Sequence, residues 1–217
     1  MAMHMNIRSS SWLGRIITAA ATLVVATMVV LVPGPAAQAD TPNSVIGVRY
    51  SDWFTSGYRC LDVRQQDGPQ QPNARIQLWD CSGALEQQWR SHLYGYAPPA
   101  GEFGIQRALY QIINLRSQQC MEVRDGSTAS GAAVDQYPCG SGSIDAIAAQ
   151  LWMVTPVTSP PGWPTYNVSP YSAYRVGLYK CLDATGGQTG NGTMIQQWTC
   201  TGRSNQQLVS WGTLLAS

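Results

Sequence analysis

The feature that most constrains this chain is an internal echo written three times around its cysteines. Cys60, Cys120 and Cys181 recur about every 60 residues, and a fixed period marks a repeat architecture. The surrounding text aligns in three blocks. The first unit carries Tyr58-Arg59-Cys60-Leu61-Asp62, then Ile76-Gln77-Leu78-Trp79-Asp80-Cys81, then Glu86-Gln87-Gln88-Trp89. The second carries Gln119-Cys120-Met121-Glu122, then Val134-Asp135-Gln136-Tyr137-Pro138-Cys139, then Ala149-Gln150-Leu151-Trp152. The third carries Lys180-Cys181-Leu182-Asp183, then Ile195-Gln196-Gln197-Trp198-Thr199-Cys200, then Asn205-Gln206-Gln207-Leu208.

All six cysteines fall inside these units. Their even number reads as disulfides in an exported chain. Near-equal spacing favours pairing each with its neighbour, Cys60–Cys81, Cys120–Cys139 and Cys181–Cys200, among the pairings that an even set allows. A bridge closing a loop of about 20 residues is worth roughly 3 kcal/mol in the chain-entropy model. A metal site would need tighter pairs or nearby histidines. Neither is present, so no metal and no cofactor is expected. Export is also written at the start of the chain. Arg8 and Arg15 precede an apolar run from Ile16 to Val32, which ends in Pro33-Gly34-Pro35 and Ala37-Gln38-Ala39. A secretory signal peptide over 1–39, cleaved before Asp40, is the expectation. A retained anchor is the alternative, because the run is at the short edge of a spanning length.

Residues 40–217 then suit a single domain with repeats over about 45–92, 105–154 and 168–213. Short runs rich in branched and aromatic residues, such as 110–115 and 76–79, are bounded by Gly, Pro, Ser and Asn. No stretch keeps a helical apolar period with caps. The class is all-β, a barrel or a sandwich, and threefold repetition favours closure about an axis. The Pro-containing stretches 95–104 and 155–170 read as long loops between units.

With those blocks in register, the chain resembles the ricin B-type lectins, which carry a Cys-Leu-Asp start and a Gln-x-Trp signature in each of three subdomains. Gln77-Leu78-Trp79, Gln87-Gln88-Trp89, Gln150-Leu151-Trp152 and Gln196-Gln197-Trp198 carry the signature, and Gln206-Gln207-Leu208 is a variant of it. The resemblance implies a β-trefoil with three pseudo-symmetric repeats, a six-stranded barrel plus a hairpin cap, and one shallow sugar pocket per subdomain. It places in each pocket an early Asp, a Gln and an aromatic beside the second cysteine, and an Asn before the late Gln. That late Gln supports the Asp and the fold. A carboxylate accepts from two hydroxyls at once, an amide both donates and accepts, and a ring face covers a sugar's C–H patch.

The third unit keeps the whole set: Asp183, Gln196, Trp198, Asn205 and Gln206. The first has Asp62, Gln77, Trp79 and Gln87, with Glu86 in the Asn position. The second departs most, with Glu122, Asp135, Tyr137 and Gln150 as weak candidates and Ala149 replacing Asn. It is expected to be structural. The expected function is therefore secreted, non-catalytic binding of an oligosaccharide or polysaccharide of galactose, mannose or xylan type, by a monomer.

Other classes have less behind them. Net charge is close to zero, +1 for the full chain, which gives no electrostatic reason for nucleic acid or an anionic membrane. Glu122 with Asp135, or Asp62 with Glu86, would be the carboxylate pair of a glycosidase, but such a pair needs a cleft with one acid perturbed by burial. A protein-binding or inhibitor trefoil with silent sugar pockets is the main alternative. Trp163, Tyr166, Tyr171 and Tyr174 would be its contact surface. Sequons stand at Asn167-Val168-Ser169 and Asn191-Gly192-Thr193, and a glycan on the second would encroach on the third pocket.

Overall fold

The computed structural model describes residues 44–48, 59–99, 106–157 and 164–211; the expected signal peptide and Trp163 lie outside them. The described chain is built of strands: β1 (Ser44–Val48), β2 (Arg59–Val63), β3 (Ile76–Asp80), β4 (Gln88–Tyr96), β5 (Ala108–Asn114) and β6 (Cys120–Val123). It continues with β7 (Val134–Tyr137), β8 (Trp152–Val157), β9 (Thr165–Pro170), β10 (Lys180–Ala184), β11 (Ile195–Thr199) and β12 (Leu208–Trp211). Helix among the described residues is limited to α1 (Tyr171–Tyr174) and isolated 3-10 turns. The all-β expectation holds.

Three hairpins, β2–β3, β6–β7 and β10–β11, share one register. Cys60 faces Trp79 and Asp62 faces Gln77; Cys120 faces Tyr137 and Glu122 faces Asp135; Cys181 faces Trp198 and Asp183 faces Gln196. Because side chains alternate across a strand, each hairpin puts its acid, its Gln or Asp and its ring on the outer side, and Leu or Met on the inner one. The bridges are Cys60–Cys81, Cys120–Cys139 and Cys181–Cys200, with Cα separations of 5.2, 4.9 and 5.0 Å, within the range a disulfide spans. The remaining strands pair in succession: β1 with β4, β4 with β5, β5 with β8, β8 with β9, β9 with β12, and β12 with β1 again.

One core collects residues from all three units, including Leu61, Leu78, Trp89, Met121, Trp152, Leu182, Ile195 and Leu208. Trp89 and Trp152 are wholly buried and donate their indole N–H to the carbonyls of Leu61 (3.1 Å) and Met121 (2.9 Å). A buried indole N–H needs such a partner. In the third unit Leu208 takes this place and brings no donor.

The units also interlock. Gln136 in β7 donates its backbone N–H to the Ala74 carbonyl and accepts from Asn73 N–H, at 3.1 and 2.8 Å. Gln197 in β11 makes the same pair with Ala132 and Gly131, at 2.9 Å each. Leu78 in β3 makes it with Thr193 and Gly192, at 2.8 and 2.9 Å. Each hairpin therefore grips a loop of another unit, and the chain of grips closes on itself. In two units a buried side chain reinforces the grip. The Gln136 amide donates to the carbonyls of Pro69 and Gln71 (3.0 Å each), and the Gln197 amide to those of Ser127 and Ala129 (2.7 and 2.8 Å).

The stretch read as a loop over 155–170 is largely a strand pair, β8 with β9. Pro156 and Pro170 fit because they stand in strand ends, where a missing N–H costs little. Tyr166 and Tyr171 are buried, so they serve packing rather than an external contact surface. Replacing Gln136 by Leu, the shape found at Leu78, should destabilise the fold by about 1–3 kcal/mol, because the Pro69 and Gln71 carbonyls lose their donor. Denaturant unfolding measures the loss.

Candidate functional site

In the third unit the side chains converge on Asp183. β10 presents its carboxylate, β11 presents Gln196 and Trp198, and a 3-10 turn at Ser204–Gln206 brings in the last two amides. The Gln196 amide donates to Asp183 Oδ1 at 2.9 Å; Asn205 and Gln206 donate to Oδ2 at 2.7 and 3.0 Å. Gln206 is nearly fully buried, and its own oxygen accepts from Thr201 N–H (2.7 Å) while its amide also reaches the Thr199 carbonyl (2.9 Å). Gln206 thus ties the acid to the chain beyond the disulfide. These residues line one open pocket of about 680 Å³ together with Thr185, Gly186, Gly187 and Arg203. Asp183 sits at its floor, 4% exposed, and Trp198 stands at its wall, 43% exposed. Gly131, from the loop that β11 grips, supports that ring: its φ of +88° favours glycine, and a Cβ there would lie 3.6 Å from Trp198.

The first unit repeats the arrangement with one amide fewer. Gln77 donates to Asp62 Oδ1 at 3.0 Å and Gln87 to Oδ2 at 3.1 Å. Trp79 is 41% exposed. Glu86 makes no bond to the acid; it accepts from the Gln65 amide at 3.5 Å. Burial raises the Asp62 pKa, the amides of Gln77 and Gln87 oppose the rise, and the Glu86 charge adds to it.

The second unit has been rewired. Gln150 still donates to the acid, Glu122 Oε2, at 2.9 Å, and to the Pro138 carbonyl at 3.0 Å. Asp135, in the register position of Gln77 and Gln196, is fully buried and ion-paired with Arg124, which also donates to the Asn73 carbonyl at 2.8 Å. Tyr137 is 44% exposed but Ala149 brings no amide. Burial raises the pKa of both Glu122 and Asp135; Gln150 counters the first and Arg124 the second.

Thr185, Gly186, Gly187 and Arg203 in the third pocket were not singled out from sequence, although Thr-Gly-Gly directly after Asp183-Ala184 is a visible turn signal. The Arg124–Asp135 pair was also missed, since Asp135 reads as a lost amide until Arg124 is set opposite it. The Asn191 sequon lies elsewhere than expected. Asn191 donates to Asp80 Oδ2 at 2.7 Å, beside Trp79 of the first unit, because its loop is the one that β3 grips.

Comparison with known proteins fits this geometry. Residues 102–169 match the family model described as ricin-type beta-trefoil lectin domain-like. No curated protein matches the chain in sequence. Among solved structures the chain is similar to the designed 3-fold symmetric protein ThreeFoil, with a TM-score of 0.57 and 21% identity over 77% of this chain and 96% of that one. It is similar to an exo-beta-1,3-galactanase from Clostridium thermocellum, with a TM-score of 0.55 and 24% identity over 78% of this chain, but spans only 30% of that enzyme. It is also similar to the Macrolepiota procera ricin B-like lectin solved in complex with lactose, with a TM-score of 0.50 and 12% identity over 79% and 96%. The likeness to these solved structures shows the fold, a β-trefoil, and residues 102–169 are similar to the ricin-type lectin domain.

A buried acid with a raised pKa takes up protons in the folded state before the unfolded chain does. Stability conferred by protonated Glu122 is therefore present in acid and is lost as pH rises from the ordinary glutamate value of 4.5 through the raised folded value. Glu122→Gln keeps an acceptor for Gln150 and removes the charge, so it should flatten this decline. Unfolding free energies from pH 4 to 7 for both proteins make the comparison.

Proposed function

We propose that this protein is an exported, non-catalytic carbohydrate-binding protein that holds neutral oligosaccharides or polysaccharides of galactose, mannose or xylan type in shallow surface pockets. The third unit is the competent one, the first binds more weakly, and the second is structural. The six strands whose pairings return to β1 form a short barrel, and the three hairpins cap it around a pseudo-threefold axis.

The observation that carries this reading is the Asp183–Trp198 pair in one open pocket. A carboxylate has about four acceptor sites, and three amide donors occupy Asp183, which leaves one for a ligand hydroxyl. Asn205 donates to Asp183 Oδ2 at 2.7 Å and to the Ala184 carbonyl at 3.2 Å, which holds its side chain beside the acid at the pocket. The half-exposed Trp198 ring covers the apolar face of the same sugar. Asp62 has two amide partners and more open acceptor sites, but Glu86 supplies no donor. Two shallow sites on one rigid body suit a repeating ligand, where affinity comes from joint engagement.

The acids are engaged in holding the units together: Asp135 is buried on Arg124, and Asp62, Glu122 and Asp183 are each held by a glutamine amide. Three disulfides are compatible with an oxidising, extracellular setting. A protein-contact reading loses two of its four aromatics, Tyr166 and Tyr171, to the core.

A glycan array on residues 40–217 tests the proposal, with Asp183→Ala and Asp62→Ala as controls. Loss of a charge-assisted bond costs about 1.5–3 kcal/mol, so Asp183→Ala should weaken binding roughly 10- to 100-fold. Asp62→Ala should do less. Undiminished binding by the double variant would overturn the sugar reading.

A further inference from the structure

A second groove lies on the other side of the Cys181–Cys200 bridge. Cys200 lines it, whereas the neighbouring Thr201 lines the Asp183 pocket. It measures about 170 Å³, and Asn167, Ser169, Tyr174, Leu178, Tyr179 and Arg107 form its principal walls. None of these belongs to a Gln-x-Trp pocket. At this size it holds one residue of a chain rather than a whole small ligand, for which pockets of about 300–1,000 Å³ are usual.

Two observations point to a ligand. The Asn167 Oδ1 atom is buried yet accepts no hydrogen bond, and a buried acceptor without a donor is costly. Tyr179 is 73% exposed, more than any other large apolar or aromatic side chain described, although a ring normally seeks cover. The surrounding structure holds it there. Beyond helix α1 the chain turns at Gly177, which is in the left-handed region (φ +79°); Gly177 N–H bonds the Tyr174 carbonyl at 2.9 Å, and Leu178 N–H bonds the Ala173 carbonyl at 3.0 Å. That pair of bonds is a Schellman closure. It turns the chain so that Leu178 and Tyr179 face the groove. Tyr174 meets Tyr179 edge-on at 6.5 Å between centroids, and Arg107 lies 5.9 Å from the Tyr174 ring. Lys180 donates to Ser130 and Thr199, whereas the Asn167 oxygen, on a residue that lines the groove, has no donor.

We infer that this groove is a further sugar-binding site, in which a pyranose lies against Tyr179 and donates a hydroxyl hydrogen to Asn167 Oδ1. The ligand class rests on the carbohydrate reading given above; the site is additional to it. Sitting across one disulfide from the Asp183 pocket, it lets a single glycan chain, rather than one terminal sugar, be the ligand of the third unit.

Depletion assays on insoluble xylan, galactan and mannan, with the full exported chain, separate the two claims. Tyr179→Ala should lower affinity for the polysaccharide retained by the native protein about tenfold, by loss of ring contact. Asn167→Leu, which removes the acceptor but keeps the volume, should lower it too, and thermal unfolding identifies any variant that has merely lost its fold. The variant lacking both Asp62 and Asp183 carboxylates should retain a residue of binding that Tyr179→Ala abolishes. If Tyr179→Ala and Asn167→Leu bind like the native protein while the Asp variants lose binding, the groove is not a site and the pocket reading stands. If no variant changes binding, or the native protein depletes none of the three polysaccharides, both readings fall.

Discussion

Each unit is organised by one contact, the hydrogen bond from a buried glutamine amide to a buried carboxylate. Gln87 holds Asp62, Gln150 holds Glu122, and Gln206 holds Asp183. The same glutamine amide also reaches a carbonyl at or just past the end of the second hairpin strand, next to the second cysteine: Asp80, Pro138 or Thr199. Its oxygen accepts a backbone N–H just past the second cysteine, from Ser82, Gly140 or Thr201. One side chain therefore fixes hairpin, disulfide and following turn together. A charge buried without such donors would be too costly to keep. Fold and pocket share this bond, which is why the acid stays buried even where the pocket around it has changed.

The second unit shows that separation. Its acid and its glutamine remain, while the position that faces them across the hairpin has become Asp135. A second buried carboxylate beside Glu122 needs a cation, and Arg124 provides it. The pairing neutralises the buried charge through one carboxylate oxygen, at the expense of an amide that a hydroxylated ligand would use. Glu122 and Gln150 continue to do the structural work that Asp183 and Gln206 do in the third unit.

Much of this was legible in the sequence. Cysteine spacing favoured the pairing that the bridges have, and aligning the blocks put Gln77, Asp135 and Gln196 in equivalent positions, while their register opposite the acids came from the structure. The resemblance put Tyr137, Trp79 and Trp198 in the ring position beside the second cysteine, and each is partly exposed there. What was hidden has a common cause. The interlock between units runs through backbone groups of Asn73, Gly131 and Gly192, and backbone bonds leave no side-chain signature. The strand pair over 152–170 was masked by its prolines, and the buried places of Tyr166 and Tyr171 depend on neighbours far off in the chain. The Gly177 turn that sets Tyr179 outward was equally silent, because one glycine among many carries no direction.

The closed circle of grips sets this fold apart from a stacked repeat. In a solenoid, units can open one after another from an end. Here, freeing any one hairpin strips a loop from a second unit and exposes the core shared by all three. Melting should therefore be a single collective event, and a ligand seated in one unit protects the other two from it, because binding only to the native form shifts the whole equilibrium. Occupancy at one small surface site is thus felt as endurance of the entire molecule.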